Sequence, residues 1–450
     1  MQKNTVFVLN KNKEPLDPTN SARARQLLKS KKAVIHKKYP FSIRLKHQVQ
    51  SNPRQYRLKI DYGSRYTGLA ILQDNSVVWL AQLHHRTNVK KLMQDRAMYR
   101  RNRRNRKTRY REPRFLNRKR RENWLPPSIQ CRVDNIESWV YRLMKLIPIT
   151  DISYELVKFD TQLMQNPEIS GIEYQQGTLQ GYEVREYLLE KFNRQCAYCE
   201  KKDVPLEIEH IHPKSRGGSN RVSNLTIACR DCNKEKNNYL LDEWIVILNK
   251  KKSNRNQLIV KNINKLIPQL KKSLKDASIL NTTRWKVLDV LKATGLEVEC
   301  GTGALTKMNR INLELPKEHH FDACCVGRST PDNLIFKTET FLLIKAKGRG
   351  SRKRVILNKH GFPRGYYARQ KLFFGFMSGD IVKATVPKGK YKGTHEGIVA
   401  CRKTGSFDIK NMEGQRIAQG VNHKYFQLVQ HFDGYTYERR EIDLSHFSHG

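Results

Sequence analysis

The sequence predicts an α/β protein of several domains, in which a mixed β-sheet is interrupted along the chain by helical and metal-binding insertions. Three observations support this prediction. Apolar and polar residues alternate at 57–72 and again at 152–157, which is typical of sheet strands. Residues 89–111 contain neither Pro nor Gly and favour a long helix. Two Cys-x-x-Cys pairs then indicate a separate metal-binding module.

Length and charge limit the classes of protein to which this chain can belong. A chain of 450 residues is too long for one compact core and suggests three or more units. Its 86 Lys and Arg residues exceed its 42 Asp and Glu residues, and the net charge is +44. A compact body with that charge repels itself, so we expect a polyanion to neutralise it, and nucleic acid is the obvious candidate.

Cysteine usage and hydropathy predict the compartment. Of nine cysteines, four belong to the paired motifs and the others lack disulfide-like spacing, which fits a reducing environment. No stretch reaches the apolar length of a membrane span, and Met1-Gln2-Lys3 leads into a strand-like segment rather than a signal peptide. We therefore expect a soluble cytoplasmic protein with no membrane partner.

Residues 1–54 are expected to form a small α/β module. The strand-like VFVLN and YPFSIRLK flank a helix-like SARARQLLKSKKA, for which Ser21 is the predicted N-cap. The basic face of this helix suits phosphate, although any single Lys or Arg there fits an ordinary solvated helix equally well.

Asp61 is the first candidate catalytic residue, within residues 55–88. In RLKIDYGSRYTGLAIL, Leu58 and Ile60 alternate with Lys59 and Asp61, and the glycines that follow predict a hairpin. A carboxylate at the end of a strand, before a Gly-containing hairpin, is how RNase H-like nucleases begin. Actin-like ATP-binding domains open on the same Asp-x-Gly pattern, so this segment alone leaves both interpretations open.

An Arg-rich segment at 89–125 is the most basic part of the chain. The predicted helix ends near Glu112-Pro113, and Arg occupies nearly every side of it, so it cannot pack into an apolar core. Surrounding phosphates would stabilise it, and the planar guanidinium suits bidentate contacts. A disordered basic tail fits less well, because the run is internal and interleaved with Met and Tyr. The arginines expected to bind RNA are Arg96, Arg100, Arg101, Arg103, Arg104, Arg106, Arg109 and Arg111.

Residues 126–165 supply a second carboxylate. A helix, VDNIESWVYRLMKLI, leads into the strand-like PITDISYELVKFD. Ile152 and Tyr154 share one face of that strand, while Ser153 and Glu155 share the other. Glu155 is either an acid set within an apolar sheet or a solvent-facing residue of an edge strand.

The four paired cysteines of residues 166–245 predict a structural zinc site. Four thiolates on two tight knuckles match the tetrahedral ligand set of Zn²⁺. Such a site commonly contributes about 10–16 kcal/mol of apparent binding energy to a small module. A zinc ribbon without catalysis is the plainer alternative. The predicted ligands are Cys196, Cys199, Cys229 and Cys232.

Between and after these pairs lie the groups of a one-metal hydrolytic site. Glu209 and His210 are adjacent, and Asn224 and Asn233 follow. A metal ion can polarise the phosphate while a neutral imidazole deprotonates the attacking water. The pattern resembles the HNH (ββα-metal) nuclease module, which implies His210 as general base, Glu209 and Asn233 as Mg²⁺ ligands, and Asn224 as the residue that orients the loop. His212 is a ligand, a supporting group or simply a loop histidine.

Residues 246–345 supply the third acid. The segment KEHHFDACCVG indicates a helix on which His319 and Asp322 are three residues apart and share a face. A helix-borne Asp322 facing Asp61 and Glu155 would complete a site for two Mg²⁺, with the nearby imidazole handling the proton of the water. By itself, His-x-x-Asp is an ordinary polar helix start.

Residues 346–450 predict a small β-barrel or meander, because short alternating segments are separated by closely spaced turn residues. Basic residues interleaved with Tyr366, Tyr367, Phe373 and Phe374 suit base stacking and phosphate contact. A purely structural barrel also fits this composition.

The order of these pieces resembles the IscB family, compact relatives of the CRISPR type II effector nucleases. In this order, an Arg-rich helix separates the first two acids, and an inserted HNH module and a final His-x-x-Asp follow. Together they would make a split, RNase H-like RuvC nuclease with a second nuclease inside it. The resemblance covers nearly the whole chain, including GFPRGY near residue 365, but the usual Pro-Leu-Met-Pro reads Pro15-Leu16-Asp17-Pro18 here. It divides the chain into 1–54 (PLMP-like module), 55–88 (RuvC-I), 89–125 (bridge helix), 126–165 (RuvC-II), 166–245 (linker and HNH with zinc), 246–345 (RuvC-III) and 346–450 (a C-terminal domain that contacts RNA and a target-adjacent motif).

The resemblance also implies a mechanism. One guide (omega) RNA per protein would pair with double-stranded target DNA, and this pairing would read the sequence. The HNH site would cut the paired strand, and the RuvC-like site, built from Asp61, Glu155, His319 and Asp322, would cut the displaced strand. Two rivals stay open: an HNH or homing-type endonuclease that needs no guide, and a catalytically idle RNA-binding scaffold.

Overall fold

The structure is a computed structural model. It describes residues 4–50, 52–105, 124–156, 182–218, 220, 222–250, 253–270, 275–348, 355–360, 362–366, 370–412 and 414–442. The chain divides into two compact units, Met1–Leu156 with Thr283–Gly450, and Val157–Thr282. Both units combine helices with strands, and several sheets are mixed, which confirms the predicted α/β class.

The secondary structure alternates strands and helices along the chain. The helices are α1 (Ser21–Lys29), α2 (Val89–Arg104), α3 (Pro127–Met144), α4 (Tyr182–Lys191), α5 (Arg230–Lys236), α6 (Leu241–Lys250), α7 (Asn254–Leu270), α8 (Lys275–Lys292), α9 (Gly303–Asn312) and α10 (His319–Cys324). The strands are β1 (Thr5–Leu9), β2 (Pro15–Asn20), β3 (Ala33–Lys37), β4 (Ser42–Leu45), β5 (Tyr56–Tyr62), β6 (Tyr66–Gln73), β7 (Ser76–His84), β8 (Ile149–Glu155), β9 (Leu206–His210), β10 (Leu225–Cys229), β11 (Glu297–Gly301), β12 (Ile335–Phe336), β13 (Thr340–Ala346), β14 (Val355–Leu357), β15 (Pro363–Tyr366), β16 (Leu372–Phe373), β17 (Phe376–Met377), β18 (Ile381–Val386), β19 (Gly393–Ala400), β20 (Ser406–Lys410), β21 (Arg416–Asn422), β22 (Phe426–Gln430) and β23 (Tyr435–Glu441).

The amino-terminal segment forms the expected small α/β module, a four-stranded sheet in the order β2-β1-β4-β3 beside α1. The prediction of Ser21 as the N-cap is wrong by one residue. Asn20 is the cap, because its backbone is extended and its Oδ1 accepts a hydrogen bond of 2.7 Å from the backbone N–H of Arg23.

One large mixed sheet organises the first unit, in the order β11-β8-β5-β6-β7-β13-β23, with β12 also paired to β7. Strands β5, β6 and β7 are antiparallel neighbours, whereas β8 and β11 run parallel to β5 on its other side. Because β8 lies between two strands, the edge-strand interpretation of Glu155 is excluded. Glu155 is an acid within a sheet, and its exposed fraction is 7%.

The carboxyl-terminal segment forms an antiparallel sheet in the order β21-β20-β19-β18-β22 around a core that includes Phe407 and Phe426. The four consecutive strands β18 to β21 form a meander, and β22 pairs with β18. The described parts of β21 and β22 do not pair, so the sheet stays open and the barrel expectation is not met. The final described strand, β23, lies outside this sheet and pairs with β13, so it extends the large sheet.

The second unit contains the β9–β10 hairpin followed by α5, with α6 and α7 packed beside it. The unit extends over Val157–Thr282. Its helices share a core with the hairpin: buried Trp244 of α6 contacts Tyr198 edge-on at 4.9 Å, and Asn262 of α7 donates a 3.0 Å hydrogen bond to the carbonyl of Tyr198.

Candidate active sites

The first candidate site forms where α10 crosses the end of β5. Asp61 lies near the end of β5, and its Oδ2 is 3.0 Å from Nδ1 of His319, the first residue of α10. Asp322 follows one turn later on the same helix face. Ligand atoms of Asp61, His319 and Asp322 all lie within 4.8 Å of one another. The structure therefore brings together three predicted residues that are up to 261 positions apart in sequence, and we call them, with Glu155, the Asp61 site.

Gly68 permits this close approach. It is the residue of β6 paired with Asp61, and a Cβ placed on it would lie 1.7 Å from the carbonyl oxygen of His319. The same Cβ would be 3.1 Å from that of Ala323. Helix α10 thus rests directly on the backbone of β6, and only glycine leaves the space that this requires.

Glu155 completes the acidic group from the neighbouring strand. Burial, together with the negative charges of Asp61 and Asp322, raises its pKa to about 8, while the Thr306 hydroxyl and Lys317 oppose the shift. Its carboxylate lies outside the set of atoms that are mutually within 4.8 Å. Glu155 therefore interacts electrostatically with Asp61 and Asp322, but its carboxylate is not part of the closest group of ligand atoms.

Two cations that were not among the predicted site residues face Asp322. Arg310 of α9 places its Nε 3.1 Å from Oδ1 of Asp322, and Nζ of Lys317 forms an ion pair with Oδ2. Asp322 is almost fully buried, which raises its pKa, while Lys317 lowers it. The segment KEHHFD offered a signal for Lys317, but nothing local to α9 pointed to Arg310.

An aromatic residue borders the same group. The ring of Tyr66 lies between His84 and His319, with centroid separations of 4.5 Å and 5.5 Å. Burial and neighbouring positive groups lower the pKa of His84 to about 4, so this imidazole is neutral near pH 7. The carboxylate oxygens of Asp61, Glu155 and Asp322 are hard donors, and such oxygens fit Mg²⁺.

The second candidate site lies on the β9–β10 hairpin and is anchored by the four predicted cysteines. Their sulfur atoms all lie within 4.8 Å of one another. The Sγ atoms of Cys199 and Cys229 are 3.6 Å apart, close to the edge of about 3.8 Å that a tetrahedral site with Zn–S bonds of about 2.3 Å requires. The donor set fits zinc.

His210 ends β9, and the loop that follows is held by Asn224. The Nε2 atom of His210 lies 2.9 Å from Oδ1 of Asn220. Asn224 accepts a hydrogen bond of 2.8 Å from the backbone N–H of His212 and donates one of 3.0 Å to its carbonyl. These are the contacts that the predicted orienting role of Asn224 requires. The His212 side chain is exposed.

The structure does not gather Glu209, His210 and Asn233 around one point. Glu209 and His210 are successive strand residues, so their side chains face opposite sides of the hairpin. Glu209 is buried, accepts a 2.6 Å hydrogen bond from the Tyr198 hydroxyl and forms a 2.5 Å ion pair with Lys236. Asn233 instead donates a 2.7 Å hydrogen bond to Glu207.

Sequence reasoning missed Tyr198, Lys236 and Glu207. Only Glu207 had a local signal, since it shares a strand face with Glu209 in LEIEH. Lys236 is fully buried, and its Nζ also donates a 2.8 Å hydrogen bond to the carbonyl of His210. Lys236 thus links the two residues on which the predicted chemistry of this module depends.

Comparison with known families finds two matches, both within the first 245 residues. Residues 6–177 match the family described as RRXRR protein, and residues 196–245 match the HNH endonuclease family. The second candidate site lies in an HNH endonuclease domain. The pair of matches confirms the resemblance to the IscB family that the sequence predicted. No curated protein matches the chain.

Solved structures of Cas9 proteins are also similar. A Streptococcus thermophilus Cas9 in complex with AGGA PAM is 11% identical, with 61% of this chain and 32% of that chain covered at a TM-score of 0.21. The type II-C Cas9 of Actinomyces naeslundii is 16% identical, with 46% and 29% covered at a TM-score of 0.15. This chain thus spans about a third of the length of these proteins. TM-scores this low do not establish a shared fold.

The RRXRR match includes α2, on which several of the predicted RNA-binding arginines lie. Arg96, Arg100 and Arg101 are exposed, and Arg104 is partly exposed. The side chain of Arg103 and the whole of Arg106, Arg109 and Arg111 lie outside the described residues, as does the predicted helix end near Glu112-Pro113. None of the helices that the structure describes combines the length and apolar composition that a membrane crossing requires.

Proposed function

We propose that this chain is an RNA-guided, Mg²⁺-dependent DNA endonuclease with two separate nuclease sites. The observation that carries the proposal is the convergence of Asp61, His319 and Asp322 from distant segments of a chain that also carries an HNH endonuclease domain. A basic protein with the HNH module as its single nuclease would not need a separate group of converging acidic residues. Two such groups in one chain suit the cutting of both strands of a duplex.

The Asp61 site would act as the RuvC-like nuclease. Asp61, Asp322 and Glu155 would hold two Mg²⁺, which when bound polarise the phosphate and lower the pKa of water. His319, oriented by Asp61, would take the proton from the attacking water. Arg310 and Lys317 would balance the negative charge of the acids within the buried site.

The HNH module would cut the other strand. His210 would serve as general base, and Asn224 would fix the loop behind it. The HNH resemblance implies Glu209 and Asn233 as oxygen ligands of one Mg²⁺, which would require Glu209 to give up its ion pair with Lys236. Zinc on the four cysteines would hold the hairpin and α5 in register. The IscB resemblance assigns the guide-paired strand to this site and the displaced strand to the Asp61 site.

Guide RNA is the polyanion that the net charge of +44 favours. The exposed arginines of α2 would contact the RNA backbone, which carries no sequence information, so base pairing with the guide would select the target. The carboxyl-terminal sheet would read a short motif beside the target. One protein would bind one RNA.

Two measurements on purified protein separate this proposal from its rivals. Sequencing of co-purified RNA should recover one abundant noncoding species, and a reprogrammed guide should redirect Mg²⁺-dependent cleavage of duplex DNA. Site-specific cutting by RNA-free protein would support a homing-type endonuclease instead. RNA binding without any cleavage would support the idle scaffold.

A further inference from the structure

A lysine in the centre of the large sheet has no part in the chemistry proposed above. Lys59 of β5 has an exposed fraction of 0%, and it lies two residues before Asp61 and therefore on the same strand face. Its Nζ donates hydrogen bonds of 2.9 Å to the carbonyl of Val326 and 3.0 Å to the hydroxyl of Thr330.

These contacts secure the end of α10 opposite to the one that Asp61 contacts. Asp61 meets His319, the first residue of the helix, and Lys59 meets the carbonyl two residues after its last residue, Cys324. Two anchor points about 7 Å apart on one strand fix both the position and the direction of a short helix. Asp322 lies between these two anchors.

Packing alone does not explain a cation at this position. An apolar side chain of similar length would fill the space without removing a charge from water, and such replacements are often neutral or stabilising. What an apolar side chain cannot supply is a bond to the carbonyl of Val326.

We propose that Lys59 is a positioning residue for the Asp61 site, which holds α10 on β5 so that Asp322 and His319 meet Asp61. The inference rests on the proposed function of that site as a metal-dependent nuclease. Loss of a group that orients metal ligands typically weakens metal binding or activity about 10–100-fold.

The test compares Lys59→Met with Arg57→Met. Arg57 lies on the same strand face and forms ion pairs of 3.4 Å with Glu299 and 3.5 Å with Asp151. It is a matched loss of one cation from β5 whose partners are carboxylates of β8 and β11 rather than the carbonyl of Val326. The first readout is Mn²⁺ binding measured by electron paramagnetic resonance, with Asp61→Asn defining which sites belong to the acidic group. The second is strand-resolved cleavage of a guided duplex.

We expect Lys59→Met to lose about tenfold or more in Asp61-dependent Mn²⁺ affinity and in cleavage by the Asp61 site, with cleavage by the HNH site unchanged. Arg57→Met should retain both. Thr330→Val, which removes one of the two acceptors, should show a smaller loss of Mn²⁺ affinity. Unchanged Mn²⁺ affinity in Lys59→Met and Thr330→Val, or equal loss of both strand cleavages, would overturn the positioning role. A wild-type protein without Asp61-dependent Mn²⁺ binding would instead overturn the proposed nuclease function of the site.

Discussion

Glu155 gives the Asp61 site a pH dependence that can be measured. Its pKa is about 8 in the folded protein and near 4.5 in the unfolded chain, so between these values the folded state binds the extra proton. A raised carboxyl pKa therefore contributes stability that falls as the pH rises through this window. In buffer without added Mg²⁺, the unfolding temperature of the wild type should fall more steeply from about pH 5 to about pH 8 than that of Glu155→Gln. Parallel melting curves for the two proteins would show that Glu155 does not carry this proton.

Lys236 gives a second prediction at the level of single residues. Lys236→Met leaves the carboxylate of Glu209 buried without its cation, and losing one partner of a buried pair commonly costs about 3–5 kcal/mol. We expect a lower unfolding temperature of the HNH unit and loss of HNH-strand cleavage, with zinc content unchanged, because Lys236 is not among the grouped zinc ligands. Lys234→Met, an exposed change on the same helix, is the control. Wild-type HNH cleavage in Lys236→Met would contradict the linking role.

Single residues were predictable where a pattern within a few positions marks them. The four cysteines, His210 and the pair His319 and Asp322 are of this kind. Lys59 and Lys236 were not predictable, because a lysine in an alternating strand or on a helix is expected to face solvent. Their burial depends on acceptors that tertiary folding supplies, and for Lys59 the Val326 carbonyl comes from 267 residues away.

At the scale of elements, the contact between β6 and α10 depends on Gly68. Gly68→Ala places a methyl group within 1.7 Å of the His319 carbonyl, so α10 must move away from Asp61. We expect loss of cleavage by the Asp61 site and clear destabilisation of the first unit. The control is Gly295→Ala, where φ is +80° and no atom lies within 4 Å of the added Cβ, so the cost is backbone strain of about 1 kcal/mol. Equal activity of the two variants would contradict the close-packing argument.

The zinc-anchored hairpin is a second element whose role can be isolated. Cys229→Ser removes one of four ligands at the end of β10, and metal binding in such modules supplies much of their folding energy. Zinc content measured by mass spectrometry should fall, the HNH unit should lose its cooperative melting transition, and only HNH-strand cleavage should disappear. Cys300→Ser, at an exposed cysteine of the other unit, should change none of these properties. Full zinc occupancy in Cys229→Ser would mean that the cluster does not bind zinc as proposed.

Helices and strands were predictable from the sequence where their periodicity is local. The strands with which they pair in the sheet were not. The β5–β6 hairpin, β8 and α10 all follow from alternation or from spacing along the chain. The pairing of β8 with β11 requires a strand that comes after the inserted HNH unit, and for that reason the sequence left Glu155 between two interpretations. The return of β23 to the large sheet likewise had no local signal, because its pairing with β13 spans about a hundred residues.

At the scale of the whole molecule, each of the two units carries one of the two candidate sites. The first unit joins the large sheet, the amino-terminal module and the carboxyl-terminal sheet, and it carries the Asp61 site. The second carries the zinc cluster and the HNH residues. On the proposed function, separate cores would make the two cutting activities separable by mutation. The charge of +44 favours a polyanionic partner such as nucleic acid for such a protein.

Strand-resolved cleavage of a guided duplex by Asp61→Ala, His210→Ala and the double variant tests the central claim most directly. Each single variant should nick one strand only, the two variants should nick opposite strands, and the double variant should bind target DNA without cutting it. Cleavage of both strands by Asp61→Ala would contradict the account, because the convergence of Asp61, His319 and Asp322 would then have no catalytic meaning.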